Sequence, residues 1–447
     1  MRAVVNPSTH TLEQNAFTVA STEVAATPSS DALPVPDALL EKTWTVVLTD
    51  EDLTKLEVHV AGNVFVDYDA SLQDPTSENE VVAKVVIRGS AAQLLDSVDV
   101  TVIEEDSGLR LHYKDQYTHV EGFVMTQIFV SKPNALRSVS STTAQNVVLG
   151  ENVVVRENRA ANLHFSTHGD GHIFVGSSKP SVNDAFVIRS MDIATAGKGG
   201  VQFQTSSLQV IGELVVSQVG SGLVAVLADE LLTANKVESA IAGDGQVFIQ
   251  SSDLQAEMLA TEVVGEGEVT YSTSGSCVNQ KISLAGSGHV ESGSIVCKYS
   301  AVSIFGTGDV VLQATERLSA TILLTGSVKY VNERPKSIQA MGIVLGTSIQ
   351  PAKSYAVKPY TPISPPSRVA MGVILTVEPA RNENYPYVHV KPLIETAISL
   401  QTLSVSLPES ISALVLFEVA VVGMGVFAVS VFKFKQRRIR EKYQVLP

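Results

Sequence analysis

One short phrase recurs along the middle of the chain and limits the folds that the chain can adopt. It reads Gly, polar residue, Gly, any residue, β-branched residue, and successive second glycines are 28, 23, 23, 22, 21, 20 and 18 residues apart. These second glycines, the candidate structural turns, are Gly171, Gly199, Gly222, Gly245, Gly267, Gly288, Gly308 and Gly326. Two positions after each comes Ile173 in the first copy and a valine in every later copy. Such a repeat predicts a structure built from stacked, similar units.

The alternation of side chains within each unit predicts strands. Val247 and Ile249 follow Gly245 two residues apart, so they share one side of a strand. A second apolar set lies four residues before the second glycine: Ile241, Val263, Leu284, Ile304 and Ile322. The glycines suit solvated corners, because glycine reaches positive φ without a Cβ clash. The pattern over residues 161–332 predicts an all-β fold, a parallel β-helix (β-solenoid) of about eight coils with its valines in an internal ladder.

The two cysteines occupy equivalent places in this repeat. Cys277 and Cys297 each lie 11 residues before a second glycine, Gly288 and Gly308. The repeat therefore stacks them on neighbouring coils with Cα atoms about 5 Å apart, inside the range of a disulfide. The pair is a candidate disulfide, and two stacked small apolar side chains are the alternative that stays open.

The regions before the repeat differ from it in composition and in hydrophobic pattern. Residues 1–40 are rich in Ser, Thr, Ala and Pro and lack a hydrophobic period, which predicts a disordered segment. No signal peptide is detected, because Asn6 and Pro7 interrupt any apolar stretch at the start. Residues 41–160 hold short β-prone runs, and they are predicted to be a β-rich region that leads into the solenoid. The interval of 28 residues after Gly171 leaves room for an extra loop around residues 178–180.

The regions after the repeat predict an anchor. Residues 333–410 are proline-rich, which indicates a stiff stalk or a small β module. Residues 411–432 carry one charge, Glu418, and are long enough to span a bilayer as one transmembrane α-helix. The tail, residues 433–447, is basic, and basic flanks lie on the cytoplasmic side of a membrane. The pattern predicts a membrane protein at the cell surface, with the N-terminal body outside and the C-terminal tail in the cytoplasm.

The repeat also carries a family resemblance. The Gly-X-Gly-X-Val units, preceded by the sequence IFVSKPNAL at residues 128–136, resemble the putative auto-transporter adhesin head (GIN) domain family over roughly residues 80–332. The resemblance implies a right-handed β-helix on a cell-surface or exported protein, with no established catalytic activity and no catalytic residues to assign. The sequence departs from the pattern at its last copy, where Leu324 stands in place of the first glycine.

Chemistry-bearing motifs are sparse. His164, His168 and His172 with Asp170 could hold a metal, but a glycine turn separates them and a solvated coil is the simpler interpretation. The glycine turns lack the Gly-Gly-X-Gly-X-Asp pattern of calcium-binding repeats. No helix follows the turns to meet a nucleotide phosphate. The net charge of −14 argues against nucleic acid as a partner. We therefore predict no catalytic residues, no metal and no cofactor.

Together these patterns predict a single-pass membrane-anchored β-solenoid protein that displays an adhesion, binding or structural surface and is non-catalytic. Its predicted partners are the lipid bilayer, through residues 411–432, and a surface glycan or protein ligand on a solenoid face. One alternative is a β-helix enzyme that binds or cleaves surface polysaccharides. A second is a tail-anchored scaffold that faces the cytosol, in which case Cys277 and Cys297 would be reduced thiols.

Overall fold

Strands make up almost all regular structure in the computed structural model of the chain. The structure describes residues 17–24, 39–48, 52–73, 80–103, 107–176, 184–342, 348–352, 355–356, 359–380 and 386–393. Its strands are β1 (Phe17–Val24), β2 (Leu40–Leu48), β3 (Lys55–Val58), β4 (Asn63–Tyr68), β5 (Glu80–Gly89), β6 (Val98–Ile103), β7 (Gly108–Tyr113), β8 (Thr118–Val130), β9 (Ser138–Ser141), β10 (Asn146–Leu149), β11 (Glu157–Gly169), β12 (His172–Val175), β13 (Ala185–Gly197), β14 (Gly200–Gly220), β15 (Leu223–Gly243), β16 (Gln246–Gly265), β17 (Glu268–Gly286), β18 (His289–Gly306), β19 (Asp309–Leu323), β20 (Ser327–Tyr330), β21 (Ser337–Gly342), β22 (Ile349–Pro351), β23 (Met371–Glu378) and β24 (Tyr387–Pro392). A 3-10 helix spans Ala70–Leu72, and one short helix, α1, spans Ala92–Asp96.

Each turn of the repeat has three straight segments, which we call faces. In β15 they are Leu223–Ala228 (face 1), Leu231–Ala234 (face 2) and Lys236–Gly243 (face 3), and each pairs in parallel with the same segment of β16. The register breaks between Ala228 and Leu231 and skips residue 235. The Gly-X-Gly phrase then turns the chain from face 3 back to face 1 of the next turn.

The two apolar ladders predicted from the sequence line the interior. On face 1, all eight residues at the valine position are fully buried, and each pairs with its equivalent on the next turn. On face 3, Ile241, Val263, Leu284, Ile304 and Ile322 are at most 2% exposed. Burial of branched side chains in continuous stacks excludes water from the axis and stabilises the fold. The prediction of a β-solenoid is confirmed.

The solenoid has about nine turns, one more than the glycine phrases predicted. The extra structure comes from strands without the phrase: β10 stacks on β12 on face 1, and β9 stacks on β11 on face 3. Their inward residues Val139 and Val147 are fully buried, so they extend both ladders. Counting glycine phrases therefore undercounts the turns, because a turn needs inward apolar side chains but not a glycine pair at each corner.

The first turn of the chain does not lie at the end of the stack. On face 3, β3 pairs in parallel with both β7 and β9, and on face 1, β4 pairs with both β8 and β10. The turn that comes first in sequence is therefore inserted between two later ones. The outer edge, formed by β8, is covered by the antiparallel strands β5, β2 and β1. Covering an exposed strand edge prevents uncontrolled pairing with other chains.

Strand β1 falls inside the segment predicted to be disordered, residues 1–40. It pairs antiparallel with β2 along its whole length, from Phe17 opposite Leu48 to Val24 opposite Glu41. For residues 17–24 the prediction of disorder is therefore corrected: the free edge of β2 supplies backbone partners that a compositional argument does not consider. The predicted loop around residues 178–180 lies outside the described residues.

The predicted transmembrane helix, residues 411–432, and the basic tail, residues 433–447, also lie outside the described residues. Among the helices that the structure does describe, none has the length and apolar character that a bilayer crossing requires. The anchor therefore stays a prediction from the sequence, as do the right hand of the helix and the domain boundaries.

The proline-rich region does not simply project from the solenoid. Strands β23 and β24 form an antiparallel hairpin, and β23 also pairs antiparallel with β8 at the first end of the stack. Val373, Leu375 and Val377 of β23 are fully buried. Residues 359–370, which we call the strap, connect this hairpin back along face 1. The strap places a segment of the chain on one outer face of its own solenoid.

Candidate functional site

The corner glycines are required for two different reasons. The first glycine of each intact pair has positive φ, for example 104° at Gly220 and 132° at Gly243. The second glycine is limited by space: a Cβ on Gly222 would lie 1.9 Å from the carbonyl oxygen of Gly199 on the neighbouring turn. The turn residues predicted from the sequence are therefore the second glycines, which closely approach the neighbouring turn. The first glycines, two residues earlier, are the ones with positive φ. Neither set presents a side chain that could bind a ligand.

The last corner keeps the backbone of the others without the first glycine. Leu324 has a φ of 80° and is 58% exposed. Left-handed backbone is costly for a bulky side chain, by roughly 1–2 kcal/mol. The strained leucine marks the place where the sequence departs from its own repeat.

The two cysteines lie at one position of face 2 on neighbouring turns. Cys277 pairs with Cys297 in the register of β17 and β18, and the structure joins them by a disulfide with Cα atoms 4.4 Å apart. Their column continues through Ala234, Ala256 and Ala314, all of which are buried. The column holds larger side chains further along the stack, at Val210 and Ile188, but beside the cysteines it holds alanines, so an alanine pair would fit in their place.

A groove of about 700 Å³ follows the bend between face 2 and face 3. It runs along the axis from β14 to β19, because equivalent positions of successive turns line it. The outward residues of face 2 on its floor are Thr233, Gln255, Ser276 and Val296. The bend itself contributes Ile211, Asn235, Glu257, Val278 and Lys298. Of the described residues that line this groove, only Glu257 is acidic and only Lys298 is basic. The groove therefore presents amide and hydroxyl groups together with the exposed apolar side chains Ile211 and Val296, rather than a charged centre.

The interior beside the groove contains a buried tyrosine. Tyr271 points inward from face 1 and is fully buried, and its Oη lies 2.8 Å from Thr261 Oγ1 and 3.2 Å from Ser239 Oγ. Burial raises the pKa of this phenol. Because the hydroxyl is satisfied by two neighbours on face 3, the tyrosine is a packing element that joins two faces and not a reactive group.

Face 1 is covered where the strap crosses it. Gln202 Oε1 accepts a hydrogen bond from the Ile363 amide at 2.8 Å, and Gln202 Nε2 donates one to the Ile363 carbonyl at 3.0 Å. Gln250 Oε1 accepts from the Tyr360 amide at 2.8 Å. The rings of Tyr360 and Phe248 stack with centroids 4.8 Å apart. The strap is thus held mainly through its backbone and one aromatic ring.

An ion pair fixes the far end of the strap. Arg368 donates two hydrogen bonds to the Asp67 carboxylate, at 2.5 and 2.7 Å, and its guanidinium lies 5.2 Å from the centre of the Phe65 ring. The Asp67 carboxylate raises the pKa of Arg368. This bidentate pair positions the strap before it joins β23.

The histidines considered for a metal do not form one site. His164 Nδ1 lies 3.3 Å from Asp192 Oδ2, whereas the His172 ring stacks on Phe174 with centroids 6.1 Å apart. Burial lowers the pKa of His172. Among the described residues, no group of three or more His, Cys, Asp or Glu side chains is arranged to hold a metal ion.

The sequence analysis predicted neither the groove nor the contacts of the strap. The groove residues do carry a signal, because neutral polar side chains recur at one register position: Thr233, Gln255 and Ser276. Face 1 carries another, because Phe248 points outward beside the buried Val247. An outward aromatic residue beside outward apolar residues, such as Leu227, indicates a surface that something covers.

The fold is similar to those of several solved structures. The structure is similar to a putative adhesin from Parabacteroides distasonis ATCC 8503, with 12% identity, 76% of this chain and 98% of that chain covered and a TM-score of 0.36. It is similar to a putative adhesin from Parabacteroides merdae ATCC 43184, with 13% identity, 70% and 96% covered and a TM-score of 0.33. A putative lipid binding protein from Parabacteroides distasonis ATCC 8503 is also similar, with 15% identity, 70% and 97% covered and a TM-score of 0.35. A search of curated proteins found no significant match.

The sequence itself matches a family model over residues 76–333, which is more than half of the chain. That match covers the region of the glycine phrases and the strands that lead into them. This chain therefore belongs to the family described as putative auto-transporter adhesin, head GIN domain.

Proposed function

We propose that this protein is a membrane-anchored, non-catalytic binding protein of the adhesin type, whose solenoid holds a ligand along the groove between face 2 and face 3. The groove is the observation that carries the proposal. It extends over turns β14 to β19, and the strap contacts lie on a different face. The family to which the chain belongs, described as a putative adhesin, supports a binding role at a cell surface.

The lining favours a neutral, elongated ligand, and we propose a surface glycan. Thr233, Gln255, Ser276 and Asn235 offer hydroxyl and amide groups, which pair with sugar hydroxyls. Neighbouring turns repeat these groups at a spacing of about 4.8 Å, so a polymer can be bound by several weak contacts in series. Lys298 and Glu257 lie among neutral groups, so a strongly charged ligand has no matching surface.

A polysaccharide-cleaving enzyme is the competing function. Hydrolysis of a glycosidic bond generally uses two carboxyl groups about 5–10 Å apart, one on each side of the bond. Glu257 is the single acidic residue among the described residues of the groove lining. The groove therefore supports binding without cleavage. Release of soluble sugar fragments by the full-length protein would overturn this part of the proposal.

The anchor is the part of the proposal that rests on sequence alone. Residues 411–432 would cross the bilayer and the basic tail would lie in the cytoplasm, which places the solenoid outside. The cysteine pair fits an oxidising exterior. Digestion of intact cells with protease separates this topology from a tail-anchored scaffold: an outside solenoid is cleaved, and a cytosolic one is protected.

Binding is tested with full-length protein in mild detergent on an array of neutral and charged glycans. Replacing Gln255 by Ala together with Thr233 by Val should weaken binding by about 5- to 150-fold, because two lost hydrogen bonds are worth about 0.5–1.5 kcal/mol each. Gln246→Ala is the matched control, since it removes an exposed glutamine from face 1 of the same strand. Equal effects of the two changes would show that the groove is not the binding surface.

A further inference from the structure

The strap lies on face 1 in the manner of a bound peptide. Most of its side chains are exposed, including Ile363 at 44%. Gln202 and Gln250 of the solenoid bond to the backbone of the strap, and Phe248 stacks on its Tyr360 ring. A segment that contributes little to the core and is held by side chains reading its backbone resembles a ligand more than a core element.

The sequence of the strap sets its shape. Residues 359–368 read PYTPISPPSR, in which four of the ten positions are proline. Proline fixes φ near −65° and removes a backbone donor, so such a segment is extended before it docks and loses little entropy on binding. Gln202 satisfies both the N–H and the C=O of Ile363, which lies between prolines and keeps its own donor.

The surface beneath the strap is built to be covered. Ala225 and Leu227 point outward from β15, yet they are 0% and 2% exposed. Ala225 lies in register between Gln202 and Phe248, both of which contact the strap. An apolar strip flanked by glutamine amides and an aromatic ring matches the surfaces that bind proline-rich peptides. Beside Tyr360 and Pro359 an open groove of about 500 Å³ continues the same face.

The strap is anchored at both sides. Before it, β22 pairs with β20, and after it, β23 lies in the core beside β8. Such a tether keeps the strap at a high effective concentration over face 1, so an outside peptide competes poorly until the strap is weakened. Between these anchors, the ring stack of Tyr360, the ion pair of Arg368 and the glutamine contacts to the backbone hold the strap in place.

From this geometry we propose that face 1 is a second binding surface, which recognises extended proline-rich peptide segments carrying a tyrosine, and that the strap is its built-in competitor. This goes beyond the glycan groove, which lies on another face and does not depend on it. The partner is a peptide with the chemistry of the strap: an extended backbone, a tyrosine that stacks on Phe248, and an arginine that pairs with Asp67.

The test uses the full-length protein in mild detergent and a fluorescent peptide of sequence PYTPISPPSR. Tyr360→Ala with Arg368→Ala weakens the strap but leaves face 1 intact, so this variant should bind the peptide at least tenfold more tightly than the unmodified protein does. Adding Gln202→Ala and Gln250→Ala to the same variant should remove that gain. A scrambled peptide should not distinguish the three proteins, and fluorescence anisotropy measures each affinity.

Hydrogen exchange gives an independent readout. In the Tyr360→Ala, Arg368→Ala variant the backbone amides at positions 360 and 363 should exchange at least tenfold faster than in the unmodified protein, while the β23 amides of Val373 and Leu375 keep their protection. Unchanged exchange at positions 360 and 363 would overturn the strap as a competitor. Equal peptide affinity with and without the two glutamines, or no gain over the unmodified protein, would overturn face 1 as the peptide surface.

Discussion

Faces 1 and 2 of the solenoid share one interior plan and differ completely on the outside. Both carry inward apolar residues at fixed register, such as Val224 on face 1 and Leu232 on face 2, each fully buried. On face 1 the outward residues Ala225 and Leu227 are buried, and they lie in register beside Phe248 and Gln250, which contact the strap. On face 2 the outward residues Gln255 and Ser276 are exposed in a groove. The inward positions therefore specify the architecture, and the outward positions specify what each face can bind.

The two faces also differ in the contacts that their residues make. Face 1 is paired between neighbouring turns, and its outward residues also contact residues more than a hundred positions away, as Gln202 contacts Ile363. Face 2 depends on contacts between neighbouring turns, including the link between Cys277 and Cys297. A change that forces neighbouring turns apart should damage faces 1 and 2 together, whereas a change within one face should leave the other intact.

The largest effect is expected where neighbouring turns approach most closely, at the glycine corner between face 3 and face 1. In Gly222→Ala the new Cβ would lie 1.9 Å from the Gly199 carbonyl oxygen, so the backbone of two turns must separate. We expect a loss of more than about 4 kcal/mol in the free energy of unfolding, measured by chemical denaturation. Both faces should lose hydrogen-exchange protection together.

Gly212→Ala is the control for this change. There the nearest atom to a new Cβ is the Arg189 carbonyl oxygen at 3.1 Å, and the loss should stay within about 1 kcal/mol. If the two variants were equally stable, close approach of neighbouring turns would not be the reason for the second glycine.

The second effect is confined to face 2. Replacing Cys277 and Cys297 by alanine keeps the small inward column but removes a link across 20 residues. Constraint of the unfolded chain by such a link is worth about 2–4 kcal/mol, so denaturation should occur at a correspondingly lower denaturant concentration. Exchange should increase at Ser276 and Val296, while Tyr360 and Ile363 on face 1 keep their protection.

A thiol titration of the unmodified protein accompanies this comparison. A disulfide predicts no reactive thiol after denaturation without reductant. Two reactive thiols and an unchanged stability in the alanine variant would instead support the pair of stacked small side chains and a reducing compartment.

The interior was predictable from the sequence because it repeats, and the covered face was not. The valines of face 1 and Ile241 on face 3 recur at fixed spacing, so periodicity alone places them in the core. The strap contacts involve single residues, such as Tyr360 against Phe248, with no second copy to reveal them. The position of the inserted first turn was not predictable for a similar reason. Leu56 and Val58 precede the glycine phrases, so no repeat in the sequence indicates that their strand pairs with β7 and β9.

The third effect concerns the corner that begins face 1 of the last repeat. Leu324→Gly should stabilise the protein by about 1 kcal/mol, because Leu324 has a φ of 80° and is largely exposed. Leu323→Gly is the matched control: Leu323 ends β19 without positive φ, so glycine there should cost about 0.5–1 kcal/mol of backbone entropy. Thermal denaturation of the two variants compares them directly. A destabilised Leu324→Gly variant would show that the leucine contributes packing that outweighs its strain.

The smallest effect distinguishes two histidines at one register position on face 1. The pKa of His289 is raised chiefly by its pairing with the Glu291 carboxylate, whose Oε2 lies 3.7 Å from Nε2. Glu268 and Asp309 on the adjoining turns add negative charge, whereas burial lowers the pKa of His172. The contribution of His289 is therefore fully present below the unfolded pKa of about 6.5 and is lost as the pH rises through the higher folded value. The contribution of His172 has the opposite sign: it is present above about pH 6.5 and is lost as the pH falls through the lower folded value.

Denaturation across pH 5–9 measures these contributions. His289→Gln should lower the free energy of unfolding on the acidic side by about 0.2–1 kcal/mol, the range for a partly exposed ion pair. In His172→Gln, the free energy of unfolding should fall less steeply as the pH is lowered than it does in the unmodified protein. Because both histidines lie on face 1, a pH profile that did not change in either variant would mean that the charges along this face are screened by solvent.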